Sequence, residues 1–228
     1  ALRTMRQHNP ENAHCRPQQP LLPKMSEKGG AAVIGLTGGI ASGKSAVSGH
    51  LARLGAHILD ADVLARLVIA PGTPGFSQTK NEFPEAVAQD GSLDRRRLGQ
   101  IIFSQPARRR VLEAIIHPRV IQAIQEQGSA RERQGSIVVA DIPLLFETNC
   151  QTFLDPVWVV YCEEKVQRYR LMQRDSLTEG EAARRINSQW PLAKKAACAD
   201  AVIDNSTSLA WTFSQTEILW RQYCAGKT

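Results

Sequence analysis

Residues 38–45, GGIASGKS, have the types and spacing needed to bind a nucleoside triphosphate. Gly38 and Gly43 permit a tight turn whose N–H groups can face phosphate oxygens. The Lys44 ammonium can reach the β- and γ-phosphates, and the Ser45 hydroxyl can ligate Mg²⁺. Whether hydrolysis, phosphoryl transfer or sensing follows is left open by the loop alone. The predicted nucleotide-binding residues of this stretch are Gly38, Gly39, Ile40, Ala41, Ser42, Gly43, Lys44, Ser45 and Ala46.

A second chemical signal is the pair of aspartates in ILDADVLAR, residues 58–66. If the backbone is extended there, Asp60 and Asp62 project from one face, and their charges need a cation, a donor or a proton nearby. Such a carboxylate can accept a proton from an attacking hydroxyl or contact Mg²⁺ through water. The alternative for either residue is a helix N-cap ahead of VLARLV.

The scaffold that would position these groups is predicted from the order of the apolar segments. Short apolar runs separated by helical patterns predict a parallel sheet covered by helices, an α/β fold. Ligands of such sheets bind outside the carboxyl ends of the strands, so the phosphate loop and the aspartates should share one mouth. Asp141 ends another run and could contact Mg²⁺ through water or have a structural role. The predicted strands are 31–36, 56–62, 136–143, 156–162 and 200–205.

Helical patterns fill the rest of the chain. Residues 70–135 contain no predicted strand and should form a helical insertion, with a break before Pro118 because proline lacks an N–H and clashes with the preceding turn. Thr178 and Glu181 form a capping-box pattern. The last helix, within 207–224, is predicted to carry an apolar stripe of Leu209, Phe213, Leu219 and Tyr223.

Residues 1–30 are rich in Pro, Gln, Asn and Arg and have too little apolar surface to fold. We therefore predict a disordered tail, followed by one folded domain over residues 31–228. The chain of 228 residues is 43% hydrophobic, which suffices for one substantial core.

Composition narrows the classes of partner. A net charge of +6 and a pI near 9.3 favour anionic ligands without choosing between nucleotide, nucleic acid and acidic membrane. Few aromatics stand beside the basic residues, and no apolar run approaches membrane-spanning length. The N-terminus lacks the apolar core of a secretory signal, and five cysteines without CxxC or Cys/His spacing favour reduced thiols. A cytoplasmic protein with no nucleic-acid, membrane or obligate protein partner is predicted.

The ordered set of motifs along the chain resembles the dephospho-coenzyme A kinase family. The resemblance covers residues 33–206, and it is the order of the motifs that makes it specific. It implies a three-layer P-loop fold with a five-stranded parallel sheet, and transfer of the ATP γ-phosphate to the 3′-hydroxyl of the dephospho-CoA ribose with Mg²⁺. The motifs are GLTGGIASGKS, DADVLAR, GSLDRRRLGQIIF, IIHPRV, DIPLLFE, RYRLMQRD, RRINSQ and ADAVIDN.

The resemblance also implies roles for single residues. Asp62, the second aspartate of DAD, matches the base that takes the ribose proton and so also binds the acceptor, while Asp60 supports the site or its metal. Lys44 and Arg174 are the other predicted catalytic residues. Arg170, which lies with Arg174 in the motif RYRLMQRD, is predicted to bind ATP. Guanidinium groups suit phosphates and a transition state whose charge is spread over several oxygens.

Segments are matched to the family in the same way. The insertion at about 70–135 corresponds to the acceptor-binding region, and residues from about 166 to 195 correspond to a mobile lid whose closure excludes water. Arginines on such a helix are otherwise solvated charges, and this alternative applies to Arg168, Arg170 and Arg174.

Three further assignments, of Arg95, His117 and Asn205, each have a structural alternative. Arg95 matches the family's LDR and is predicted to bind the acceptor, although most of the two basic triplets, 95–97 and 108–110, are expected on a solvated face. His117 is predicted in the acceptor site, with a buried, hydrogen-bonded histidine as the alternative. Asn205 is predicted near adenine, and a turn role explains it equally well.

Rival functions follow from the same loop. A kinase for another nucleoside or nucleotide would share the phosphate loop and differ in its acceptor. A nucleotide-dependent regulator or nucleic-acid-binding protein would have no soluble acceptor and would bind polynucleotides with a steep dependence on salt.

Overall fold

The computed structural model describes residues 33–227, so the predicted tail lies outside the described residues. One parallel sheet of five strands, in the order β2-β3-β1-β4-β5, forms the centre of the fold. All five predicted strands are confirmed, four of them with tighter bounds, while β1 continues two residues beyond its predicted end at Leu36. The strands are β1 Ile34–Gly38, β2 His57–Asp60, β3 Val138–Asp141, β4 Val157–Tyr161 and β5 Ala201–Asp204.

Helices cover both faces of this sheet. Along β4, Val157 and Val159 face one layer of the core while Trp158 and Val160 face the other, because successive side chains of a strand alternate. The helices are α1 Lys44–Arg53, α2 Ala61–Leu67, α3 Pro74–Glu82, α4 Arg95–Ser104, α5 Pro106–Glu132, α6 Glu164–Asp175, α7 Glu179–Asn187, α8 Leu192–Ala197 and α9 Leu209–Ala225. Helices α1 and α9 pack on one face and α5 on the other, which gives the predicted three-layer α/β architecture.

The register of the strands brings the chemically interesting residues to one edge. Asp141, the last residue of β3, is paired with Leu36 of β1 on one side and with Asp60 of β2 on the other. The phosphate loop leaves β1 at this same edge. Parallel strands thus align their carboxyl ends as the sequence predicted.

The predicted extended conformation from Asp60 to Asp62 is wrong. Strand β2 ends at Asp60, and Asp62 lies in the first turn of α2. The Asp60 carboxylate accepts hydrogen bonds from the N–H groups of Asp62 and Val63, at 2.8 and 3.1 Å, so it caps the helix. Because that cap turns the chain, the two carboxylates do not lie on one strand face.

Helices fill residues 70–135 as predicted, with one isolated bridge between Val87 and Leu93. The predicted break before Pro118 is wrong, since α5 is continuous through it. Ile115 on one side of the proline and Ile124 on the other are each almost fully buried, in two different apolar clusters. Burying such side chains stabilises the helix by more than the one backbone hydrogen bond that proline removes.

Three smaller expectations have mixed outcomes. The capping box of Thr178 and Glu181 at the start of α7 is confirmed. Helix α9 is confirmed, but Leu209 is 52% exposed and does not join the buried residues of its stripe. The cysteines Cys150, Cys162 and Cys224 are free thiols, whereas Cys198 is disulfide-bonded, so the expectation of reduced thiols is wrong there.

None of the helices within residues 33–227 combines the length and apolarity needed to cross a bilayer.

Candidate active site

The phosphate loop ends at Gly43, which caps α1 with a φ of 93° in the left-handed region. A Cβ at this position would collide with the amide of Asn205, so both backbone conformation and space require glycine. The first N–H groups of α1 have no intrahelical acceptor, and the helix adds a positive partial charge at this end. The loop therefore has the geometry of an anion-binding site.

Lys44 and Asp141 form an ion pair at the mouth of this loop. The Asp141 side chain is only 8% exposed, and that of Lys44 16%, so each charge has the other as its main counter-charge. A buried carboxylate needs such a partner. Asp141 thus positions the predicted catalytic lysine.

Asp62 lines a cavity of about 650 Å³ that opens between α2, α4, α5 and the chain after β3. Burial raises the pKa of the Asp62 carboxyl, and the neighbouring charges of Asp60 and Asp141 raise it further, while Lys44 acts in the opposite direction. A carboxylate with a raised pKa is a stronger base than an ordinary one. The combination of cavity, raised pKa and nearby lysine suits proton transfer from an acceptor in the cavity.

The predicted acceptor-binding residues are only partly brought together. His117 of α5 lines the cavity, together with Asp62, whereas Arg95 lies exposed at the start of α4 and is not among the lining residues. Arg109, expected on a solvated face, lines the cavity instead and donates to Glu113 at 2.8 Å. Arg109, Glu113, Ile116, His117 and Val120 follow helical spacing, and this signal could have identified the arginine.

The lid arginines differ from one another. Arg168 pairs with Glu164 and Glu179, and Arg174 pairs with its neighbour Asp175. The Nη1 atom of Arg170 is buried without a hydrogen-bond partner among the described residues and lies 4.0 Å from the position of a Cβ on Gly43. An unpaired guanidinium nitrogen beside the phosphate loop is suited to an anion.

Asn205 supports the loop from behind. Its side chain is 2% exposed, donates to the Ser42 carbonyl at 2.8 Å and accepts from the Thr212 hydroxyl at 2.9 Å. This placement assigns the side chain to the loop backbone, and the adenine contact stays a prediction.

Three supporting residues were not identified from the sequence. Lys195 of α8 is fully buried, donates to the carbonyls of Gly38 and Pro143, both at 3.1 Å, and pairs with Glu147 at 2.9 Å. Burial lowers the pKa of Lys195, and the Glu147 carboxylate opposes that effect. The other two, Gln167 and Gln189, bond the backbone of Ile40. Gln189 ends the motif RRINSQ, which could have singled it out, whereas nothing in the local sequence of Lys195 or Gln167 distinguishes them from neighbouring polar residues.

Oxygen donors suitable for a metal surround the loop. Ser45 is exposed in the first turn of α1, and Asp60 and Asp141 end adjacent strands. Within residues 33–227, no group of three or more His, Cys, Asp or Glu side chains could hold an ion without other ligands. Hydroxyl and carboxylate oxygens fit Mg²⁺, which keeps several waters and uses substrate phosphates rather than an all-protein cage.

Comparison with known proteins decides the family. Residues 32–210 match the family model for dephospho-CoA kinase. The chain belongs to the dephospho-CoA kinase family. A dephospho-CoA kinase from Symbiobacterium thermophilum is 47% identical over 86% of this chain and 82% of its own length, and one from Shouchella clausii is 48% identical over 80% and 93%.

Solved structures agree with this family. The protein TT1252 from Thermus thermophilus superposes with a TM-score of 0.71 at 34% identity, over 84% of this chain and 98% of that one. A dephospho-CoA kinase from Campylobacter jejuni superposes with a TM-score of 0.68 at 26% identity, over 86% and 98%. The chain is therefore a kinase of this family with its P-loop fold, and the predicted family and fold are confirmed.

Proposed function

We propose that this chain transfers the γ-phosphate of ATP to the ribose 3′-hydroxyl of dephospho-CoA, giving ADP and coenzyme A. The observation that carries the proposal is the position of Asp62, which lines a cavity of about 650 Å³ and is close enough to Lys44 for that charge to act on its pKa. The cavity therefore lies close to the phosphate loop. Membership of the dephospho-CoA kinase family supports this choice of acceptor.

Lys44 and the N-terminus of α1 hold the ATP phosphates, and backbone N–H groups of the loop complete the cradle, other than those of Ile40, Ser42 and Ala46, which already donate to protein oxygens. As ATP binds, its phosphate oxygens compete with Asp141 for the Lys44 ammonium. Arg170 contributes a second cation at the loop, because its free Nη1 already lies beside Gly43. Phosphoryl transfer needs mainly positioning and charge stabilisation from the protein, and these groups supply both.

Asp62 accepts the proton of the 3′-hydroxyl as its oxygen attacks the γ-phosphorus. A bond forms between the ribose oxygen and phosphorus, the bond from phosphorus to the β,γ-bridging oxygen breaks, and ADP leaves with that electron pair. His117 lines the cavity beside the acceptor, and Arg95 acts on the acceptor only if α4 moves toward it. Arg174 joins the transferring phosphate when it leaves Asp175.

Mg²⁺ would be held by the Ser45 hydroxyl, with Asp60 or Asp141 contacting it through water, and when bound it neutralises phosphate charge. The helices between residues 70 and 135 form the acceptor region, and residues 166–195 form the lid. Cytoplasmic localisation and the absence of nucleic-acid, membrane and obligate protein partners remain predictions from the sequence.

ATP turnover with and without dephospho-CoA tests the proposal. We expect ADP formation to depend on dephospho-CoA and to yield one coenzyme A for each ADP. A parallel screen of nucleosides and nucleoside monophosphates tests the closest rival, and turnover of one of them without turnover of dephospho-CoA would overturn the proposal. Polynucleotide binding with a steep salt dependence and no soluble acceptor would instead favour a regulator.

A further inference from the structure

The backbone of Ile40, in the middle of the phosphate loop, is hydrogen-bonded at both its N–H and its carbonyl by glutamines from the predicted lid segment. Its N–H donates to Gln189 Oε1 at 2.8 Å, and its carbonyl accepts from Gln167 Nε2 at 2.7 Å. A backbone N–H can only donate and a carbonyl can only accept, so these partners settle the orientation of both amides. Because the Ile40 N–H belongs to the peptide between residues 39 and 40 and its carbonyl to the peptide between residues 40 and 41, the two side chains hold the two consecutive peptide planes that meet at Ile40.

Gln167, a residue of α6, is buried against the phosphate loop. Its side chain is 4% exposed, and a Cβ on Gly39 would lie 2.6 Å from its Nε2 atom. A side chain at Gly39 would therefore displace the amide of Gln167 from its place against the loop. Gln167 does not belong to the residues that line the acceptor cavity.

Gln189 differs because it belongs to two sites at once. It accepts from the phosphate loop at Ile40, and it also lines the cavity that contains Asp62 and His117. It lies in the short link between α7 and α8, where the next residue, Trp190, donates its N–H to Glu147 at 2.9 Å. The link is thereby held close to both the loop and the cavity wall.

We propose that Gln189 is a positioning residue that aligns the phosphate loop with the acceptor in the cavity. This inference rests on the proposed function, because it assumes that the acceptor occupies that cavity. A group placed between the two substrates sets their mutual distance, and small misplacement of reacting groups is costly in rate. Gln167 donates to the carbonyl of the same residue, Ile40, but it does not line the cavity and so would not contact the acceptor.

Gln189→Met tests this role, because methionine has a similar length and cannot accept the Ile40 hydrogen bond. We expect kcat to fall about threefold to tenfold, the effect of one lost neutral hydrogen bond. The KM for dephospho-CoA should rise, and the KM for ATP should stay within about twofold, since Lys44 and the α1 N-terminus do not involve Gln189. Gln189→Glu keeps an acceptor oxygen and should recover most of the kcat at saturating ATP.

Two reference variants separate positioning from stability. Gln167→Met should lower the melting temperature without a selective rise in the KM for dephospho-CoA. Gln127→Met changes an exposed glutamine of α5 and should match the unaltered protein in every measurement. The inference is overturned if Gln189→Met retains wild-type kcat, if Gln189→Glu is no better than Gln189→Met, or if the Gln167 and Gln189 variants change the KM for dephospho-CoA alike.

Amide exchange at Ile40, followed by NMR, distinguishes this inference from the proposed function. Exchange should be faster in Gln189→Met than in the unaltered protein whether or not dephospho-CoA is the acceptor. Unchanged exchange would overturn the bond on which the inference depends. Unaltered protein that turns over no dephospho-CoA, with the exchange difference present, would instead overturn the proposed function.

Discussion

The carboxyl edge of the sheet and the lid helices hold their cations in different ways. At the sheet edge, Lys44 is largely buried and is paired with Asp141, whose backbone is fixed by neighbouring strands on both sides. On α6, Arg174 is 59% exposed and is paired with the next residue, Asp175. Groups at strand ends are therefore in place before substrate binds, whereas Arg174 would have to leave Asp175 to act on the substrate as proposed.

Replacing Lys44 should break the sheet-edge site most severely. We expect Lys44→Ala to lower turnover by roughly 10³-fold or more, because a preorganised charge at the transferring phosphate is lost. It should also lower the melting temperature, since the buried Asp141 carboxylate loses its partner. Steady-state kinetics and thermal unfolding measure the two effects.

A double variant is the control for this change. Lys44→Ala with Asp141→Asn removes both charges and should recover stability without recovering turnover. Turnover near the wild-type rate in folded Lys44→Ala would remove the phosphate loop from the mechanism.

Asp62→Asn should have the next largest effect, because the amide keeps the size of the carboxylate but cannot serve as a base. Turnover should fall by roughly 10²–10⁴-fold, the usual range for a positioned base. Binding of dephospho-CoA, measured by calorimetry, should change far less, since the group acts as charge moves in the transition state. A folded Asp62→Asn enzyme with near-normal kcat would show that the hydroxyl loses its proton elsewhere.

Arg174→Ala sharpens the comparison from the side of the lid. If Arg174 reaches the transferring phosphate on closure, kcat should fall about 10²-fold, as for one lost stabilising donor. Stability should hardly change, because exposed ion pairs contribute little. Arg168→Ala, which removes an arginine paired with Glu164 and Glu179, is the matched control. Equal kcat values for the two variants would show that Arg174 is a solvated surface charge with no role in phosphoryl transfer.

The smallest expected effect is a shift along the pH axis. Because the pKa of Asp62 is raised, its base form is lost, and kcat/KM should fall, as pH drops through a value above that of an ordinary aspartate. Asp60→Asn removes one charge that raises this pKa and keeps an oxygen that can cap α2. The acid limb of the pH–rate profile should therefore move to lower pH, and a limb unmoved by Asp60→Asn would exclude this coupling.

The sequence predicted those features that depend on local pattern. Glycine, lysine and serine at loop spacing, apolar runs and a capping box each have a local physical cause, and the fold follows from their order. The conformation at Asp62 was mistaken because Asp60 suits both a strand end and a helix cap. The break predicted before Pro118 was wrong because the local signal of a proline is unambiguous but is outweighed by packing of α5 against distant parts of the chain.

The supports of the phosphate loop could not be predicted in the same way. Ile40 is separated by 127 residues from Gln167 and by 149 from Gln189, and Gly38 by 157 from Lys195. No local periodicity encodes a hydrogen bond over such separations. The fold must be known before these polar side chains can be distinguished from solvated ones.

The contacts at the two ends of the predicted lid have an energetic consequence. Gln167 near its beginning and Lys195 at its end are both bonded to the phosphate loop, at Ile40 and Gly38. The chain between them is therefore a closed loop before any ligand binds, and its loop-closure entropy is already lost on folding. If residues 166–195 close over substrate as proposed, conformational entropy is left to lose only in the residues between these contacts that are not themselves bonded to the loop, as Gln189 is. Such a closure would be a local ordering step with a small entropic cost in each turnover.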